Sequence, residues 1–314
     1  MRSAILLWLI VITSAADSSS HGAEADGEEC QRSMSTCDLV QRVLQNSLSI
    51  SKIKAIILQQ RQLLSSIVKE NISASLHIPD DFLVDAALHT DCTDIKRRNP
   101  DARSGIFDIL PGAYPVKAFC SMERSNGWTV LQRRKDGSEN FNRPWKDYRN
   151  GFGSQKGEHW LGLNTLHLLT KGKKCRLRID LVDFDDKTAR AEYSLFHIGD
   201  EEVNYQLTLG DYTGDAGDAF RGAYSGVDQN KFGFSTEDRD NDGCSPCIYG
   251  DIAFNSCVGE HEGGWWFSRC GSANLNGVWQ KETNKQGYGT RVQWDTWRPS
   301  LESLKESIMK LSCT

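Results

Sequence analysis

The chain has 314 residues, 39% of them hydrophobic and 25% charged, with a formal net charge of -5. That is the composition of a soluble globular protein long enough for one or two domains with a sizeable core. The mild acidity gives no electrostatic reason to expect nucleic acid or an anionic membrane as partner.

Residues 1–16 read as a secretory signal: Arg2 supplies the positive start, Ala4 to Ile12 the apolar run and Ser14-Ala15-Ala16 a small-residue cleavage site. The alternative is an uncleaved anchor, but the run is too short to span a bilayer, and no later stretch reaches the required length. A secreted, extracellular protein is expected, and the ten cysteines, all beyond the signal, suit an oxidising compartment. Residues 17–37 are expected to be a disordered segment, small, polar and acidic over 17–29 and carrying Cys30 and Cys37. A heptad pattern follows over 38–72, with Val43, Ile50, Ile57 and Leu64 at a and Leu39, Asn46, Ile53, Gln60 and Ile67 at d. About four heptads would make about 50 Å of helix. Strict seven-residue spacing and β-branched a positions favour a homo-oligomeric coiled coil of more than two strands, weakened by Asn46 and Gln60; packing against the globular part is the alternative. Cys30 and Cys37 at its head would form either interchain bridges or a local loop. Asn71-Ile72-Ser73 is a glycosylation sequon, and 73–88 is a linker.

From Cys92 the texture changes to short alternating runs broken by glycine. Of the nine tryptophans, only Trp8 lies outside the span Trp128–Trp297. Trp128–Gln132 and Cys175–Leu181 read as strands, and Leu163–Leu169 as a short helix. These mixed signals predict an α+β domain with long irregular loops.

The most unusual stretch is Ser235-Thr236-Glu237-Asp238-Arg239-Asp240-Asn241-Asp242-Gly243. Carboxylates at every second residue let a looping backbone turn several oxygens toward one hard cation. It is not an EF-hand, because the twelfth loop position is Tyr249 and Pro246 stands with two cysteines where a helix should begin. Calcium in another type of loop is expected, with a solvated acidic turn as the alternative.

Several motifs are specific to a family. Gly127-Trp128-Thr129-Val130-Leu131-Gln132-Arg133-Arg134, Asp136-Gly137-Ser138-Glu139-Asn140-Phe141, Trp145-Lys146-Asp147-Tyr148-Arg149-Asn150-Gly151-Phe152-Gly153, Gly157-Glu158-His159-Trp160, Gly264-Trp265-Trp266-Phe267 and Asn274-Leu275-Asn276-Gly277 strongly resemble the fibrinogen C-terminal domain family. The wording is most similar to hepassocin-type fibrinogen-like proteins; ficolins and tachylectins share the globular domain. The resemblance covers residues 89–314. It implies a domain with a mixed central sheet, disulfides Cys92–Cys120 and Cys257–Cys270, one calcium ion on Asp240 and Asp242 with Asp238 in support, and a recognition pocket beside it.

The sequence departs from that pattern between Asp242 and Cys257, where an insertion carries Cys244, Pro246 and Cys247. Cys244–Cys247 reads as a local disulfide, with half a zinc site or a redox motif as alternatives. The insertion leaves open which carbonyls would complete a calcium site. Cys175 and Cys313 lie in strand-like segments and are expected to pair, the rival being an interchain link through Cys313.

The implied pocket comprises Phe267, Arg269, Cys270, Gly271, Tyr288 and Gly289, with a strained cis peptide at Arg269–Cys270. Fibrin-type pockets carry a histidine after the cysteine and an acid after the tyrosine. Here Gly271 and Gly289 stand in those places, so a fibrin-knob pocket is not expected. Tyr288-Gly289 suits a small cup for an acetyl group, although Phe267, Tyr288, Trp294 and Trp297 are equally readable as core. No catalytic motif is present: there is no Gly-x-Ser-x-Gly elbow, and His261-Glu262-Gly263-Gly264 lacks the second histidine of a zinc protease. Two functions stand: a ligand for a cell-surface receptor, and a calcium-dependent lectin for acetylated glycans in innate immunity.

Overall fold

Short connections decide the sheet. The computed structural model describes residues 89–223, 225–249, 252–280, 290–298 and 303–314. The signal, Cys30, Cys37, the heptads, Asn71, the linker, Tyr288 and Gly289 lie outside the described residues. The elements in chain order are α1 (Cys92–Arg98), β1 (Gly105–Ile109), β2 (Val116–Met122), β3 (Gly127–Arg134), α2 (Trp145–Asn150), β4 (Phe152–Gly153), β5 (His159–Trp160) and α3 (Leu163–Thr170). They continue with β6 (Cys175–Val182), β7 (Thr188–Tyr193), β8 (Phe196–Ile198), β9 (Leu207–Leu209), β10 (Tyr212–Gly214), β11 (Cys247–Tyr249), β12 (Ile252–Phe254), α4 (Cys257–His261), β13 (Ala273–Asn274), β14 (Gln293–Trp294) and β15 (Glu306–Cys313).

Among the described residues the main sheet has nine strands in the order β1-β2-β3-β15-β6-β7-β10, with β5 joining β3 to β4 at the side. Every strand pairing in it is antiparallel, which corrects the expectation of a mixed sheet. The physical reason is connection length. Only residues 110–115, 123–126 and 183–187 separate β1 from β2, β2 from β3 and β6 from β7, too few for the crossover a parallel pair needs.

β15 runs antiparallel to both β3 and β6 and so closes the centre with the last residues of the chain. Residues Cys313 and Cys175 are direct partners in that register, and a disulfide joins them. β6 alternates: Leu177, Ile179 and Leu181 are buried, while Arg176, Arg178 and Asp180 face outward. This alternation lets one face of an antiparallel sheet pack on the core while the other meets water. On the outer face Lys310 Nζ lies 2.6 Å from Asp180 and 2.9 Å from Glu123, while Arg178 pairs with both carboxylates.

On the inner face α3 buries Leu163, Leu166 and Leu169. Beyond it sits an aromatic cluster centred on Phe234, whose ring lies 5.0 Å from Tyr148 and Trp266 and 5.7 Å from Trp160. Trp265 stacks on Phe220 at 5.5 Å. Burying such rings supplies about 25 cal/mol per Å² and ties the sheet to the loop-rich remainder of the chain.

A buried carboxylate sets the turn after β3. Glu158, 1% exposed, accepts from the amides of Lys135 at 2.7 Å, Gly137 at 3.1 Å and Glu139 at 3.0 Å, and pairs with Arg134 at 3.4 Å. Burial pushes its pKa up, but the amides and Arg134 outweigh burial and hold it below the ordinary glutamate value. Stability from this group is therefore present above about pH 4.3 and lost as pH falls through the lower folded-state pKa. Glu158→Gln, which turns an amide donor toward donors already there, is expected to cost about 3 kcal/mol at pH 7. In urea melts, the gap between variant and wild type should narrow below about pH 4.

Candidate functional site

The acidic loop is held at both ends. Ser235 and Trp265 exchange backbone hydrogen bonds at 2.8 and 3.1 Å, and Thr236 and Arg239 exchange a second pair at 2.9 Å. Asn241 donates its side-chain amide to Phe234 O at 2.7 Å and its backbone amide to Ser235 Oγ at 2.9 Å. The loop thus hangs from the aromatic cluster by the residue next to it.

The three aspartates are not equivalent. Asp238 Oδ1 accepts from the Trp145 amide at 2.8 Å and from Thr236 Oγ1 at 2.7 Å. Trp145 opens α2, whose N-cap is Pro144 with no capping side chain, so Asp238 serves as the missing cap from a distant loop. Asp240 is exposed and accepts from the Asp242 amide at 3.1 Å. Asp242 is half-buried and accepts from the amides of Cys244 at 3.0 Å and Cys257 at 2.8 Å. Burial raises the Asp242 pKa and the charge of Asp240 raises it further, against the two amides. A carboxylate that is costly to charge, two residues from another, is the donor chemistry that a hard dication relieves. Asp240 and Asp242 therefore have donor chemistry that suits calcium, while Oδ1 of Asp238 is engaged by the Trp145 amide and Thr236.

Gly243 links this loop to the next. Its amide donates to Ser268 O at 2.8 Å, and a Cβ added there would lie 2.4 Å from the Phe232 ring. Only glycine permits that approach. The segment Phe267–Gly271 follows. Phe267 is fully buried with its ring 5.4 Å from His261, Arg269 is exposed, and Cys270 is nearly buried at a positive φ of 64°. Among the described residues the one cis peptide is Ser245–Pro246; Arg269–Cys270 is trans, which corrects the expected cis bond. The chain makes its turn instead through left-handed backbone at Cys270 and at Gly271, where φ is 81°.

Gln229 is the residue that the sequence reading missed. Fully buried, it donates to Ala273 O at 3.0 Å, and its amide nitrogen lies 2.2 Å from where a Cβ on Gly271 would be. Gln229 fills the space beside position 271, so a histidine there would have to displace it. No local sequence signal points to this contact, because the two residues come from separate loops.

The insertion after Asp242 is a hairpin: β11 pairs with β12 in the register Cys247–Phe254, Ile248–Ala253 and Tyr249–Ile252. Ile-Tyr and Ile-Ala-Phe around Gly250-Asp251 carried that signal in the sequence. Ile248 is 72% exposed. Disulfides join Cys92 to Cys120, Cys244 to Cys247 and Cys257 to Cys270.

Residues 88–314 match the family model described as fibrinogen beta and gamma chains, C-terminal globular domain. The chain belongs to the fibrinogen C-terminal domain family. It is 41% identical to fibrinogen-like protein 1 of Bos taurus over 71% of this chain and 72% of that protein. With fibrinogen-like protein 1 of Homo sapiens it shares 40% over the same fractions. Among solved structures it resembles the fibrinogen-like globe of human ANGPTL6, with a TM-score of 0.64, 35% identity and coverage of 72% of this chain and 96% of that one. It also resembles lamprey fibrin D-dimer complexed with the peptide Gly-His-Arg-Pro-amide, with a TM-score of 0.65, 30% identity and coverage of 88% and 92%. Among the described residues no helix is long and apolar enough to cross a membrane.

Within this fibrinogen domain His261 gives the site a pH response. Burial lowers its pKa to about 4, helped by the charge of Arg291. The unfolded chain, with histidine near 6.5, then binds more protons, so stability falls as pH drops from about 6.5 toward 4. His159, also held at about 4 by burial, adds a second proton of the same sign. His261→Leu should lower the slope of unfolding free energy against pH by about 1.4 kcal/mol per unit near pH 5. Denaturant titrations between pH 4 and 7 measure it; an unchanged slope would contradict the buried neutral histidine.

Proposed function

We propose that the protein is a secreted, oligomeric, calcium-binding member of the fibrinogen family that acts as a non-catalytic extracellular ligand through a protein receptor. The observation that carries the protein-interface reading is the filled pocket segment. Phe267 exposes nothing, and Gln229 occupies the space beside Gly271. Among the described residues of that segment, neither Phe267 nor position 271 leaves open space for an acetyl group, whereas the exposed Arg269 and the hairpin carrying Ile248 offer contacts of the size a protein partner uses. The heptads at 38–72, with Cys30 and Cys37 at their head, would multiply weak contacts into avidity.

Asp240 and Asp242 would hold the calcium, with backbone carbonyls completing the oxygen set. When bound, the ion supplies positive charge that offsets the repulsion between the two carboxylates. It thereby steadies the loop that Gly243 ties to Ser268. At ten times its dissociation constant the ion should add about 1.4 kcal/mol, or about 3 °C in melting temperature. Asp240→Ala should abolish the calcium-induced shift and leave the calcium-free melt unchanged. A shift that persists in the variant would refute the ligand assignment. A glycan array with and without chelator tests the receptor reading: calcium-dependent capture that N-acetylglucosamine competes away would replace it with the lectin reading.

A further inference from the structure

Four sulfurs meet behind Asp242. The Sγ atoms of Cys244, Cys247, Cys257 and Cys270 all lie within 4.8 Å of one another. Between the two disulfides, Cys257 Sγ is 3.6 Å from Cys244 Sγ and 3.6 Å from Cys247 Sγ. The insertion causes this: its hairpin brings one disulfide into van der Waals contact with the other. By contrast, the Cys175–Cys313 bridge faces the Leu169 carbonyl, 3.6 Å from one sulfur and 3.7 Å from the other.

Access is graded across the cluster. Cys244 is half-buried, whereas Cys247, Cys257 and Cys270 are buried. An external thiolate therefore meets Cys244 first. Thiolate attack on a disulfide sulfur is how such bonds rearrange, and its rate depends on access and on which sulfur is attacked.

We propose that Cys244–Cys247 is a thiol-exchange site that takes a small thiol and passes the exchange to Cys257–Cys270. In the first step the thiolate bonds to Cys244 Sγ, and Cys247 leaves as thiolate. Cys247 then attacks Cys257 Sγ, forming Cys247–Cys257 and expelling Cys270 as thiolate. Cys270 attacks Cys244 Sγ, forming Cys244–Cys270 and returning the external thiolate. Two disulfides are exchanged for two others, with no net oxidation, reduction or proton change. The exchange unties α4 from the Phe267–Gly271 segment and ties it to β11 instead. It needs only the four sulfurs and is independent of the calcium and receptor readings.

The test uses the full-length protein. Cys244→Ser leaves Cys247 as a free thiol in contact with Cys257, so alkylation under native conditions followed by non-reducing peptide mapping should find label on Cys270 at least equal to that on Cys247, together with a Cys247–Cys257 peptide. Label on Cys247 alone, with Cys257–Cys270 intact, would overturn the proposal. Should that variant fail to fold, wild-type protein incubated with reduced and oxidised glutathione gives the second measurement. Peptides linking Cys247–Cys257 and Cys244–Cys270 are expected there, while Cys92–Cys120 and Cys175–Cys313 stay paired. The original pairing alone, or scrambling that reaches the other two bridges, overturns it equally.

Discussion

Everything in the domain depends on β15. β15 lies between β3 and β6, so the centre of the sheet is absent until that strand has been delivered to it. The strands it joins are separated from it by most of the domain's length, and contacts of such sequence separation are costly in loop entropy and slow to form. The Cys175–Cys313 disulfide, a loop closure with a sequence separation of 138, acts on that same cost. It restricts the unfolded chain where the native pairing is most remote, an effect worth about 5 kcal/mol in the loop-entropy picture. The charge network of Glu123, Arg178, Asp180 and Lys310 spans β2–β3, β6 and β15 on the outer face and rewards the same register.

The irregular part is organised by a different interaction. Phe234 packs on Tyr148, Trp160 and Trp266, and the acidic loop begins at its neighbour Ser235. The loop is therefore placed by aromatic burial while its own residues remain polar. Asp238 caps α2, Gly243 bonds to Ser268, and Asp242 accepts the amide that opens α4. Each of these ties uses a side chain or amide from a distant segment, so the loop, the helices and the pocket segment form one connected unit. The half-buried carboxylate of Asp242, disfavoured as an anion, sits within that unit.

Much of this was readable in the residues. Trp128–Gln132 and Cys175–Leu181 fall within β3 and β6, and Leu163–Leu169 within α3, because alternating burial and helical spacing are local properties of a chain. The sheet's hand of pairing was not readable, since it depends on connection lengths between strands whose partners the sequence does not name. The trans peptide at Arg269 and the left-handed Cys270 were likewise hidden: a backbone conformation in a loop is set by what surrounds it. Gln229 illustrates the limit most clearly. Nothing in its neighbours marks it, yet it fills the space beside Gly271.

By itself, then, the sequence determined β3, β6 and α3, the cysteine content, the run of aspartates and the glycine at 243, all of which follow from residue type and spacing over a few positions. Only the tertiary structure decided which carboxylate is spent on capping a helix, which pocket wall is already filled, and that two disulfides lie in contact behind Asp242. Those facts are distances between segments far apart in the chain, and a distance of that kind exists only once the core has closed and brought them together.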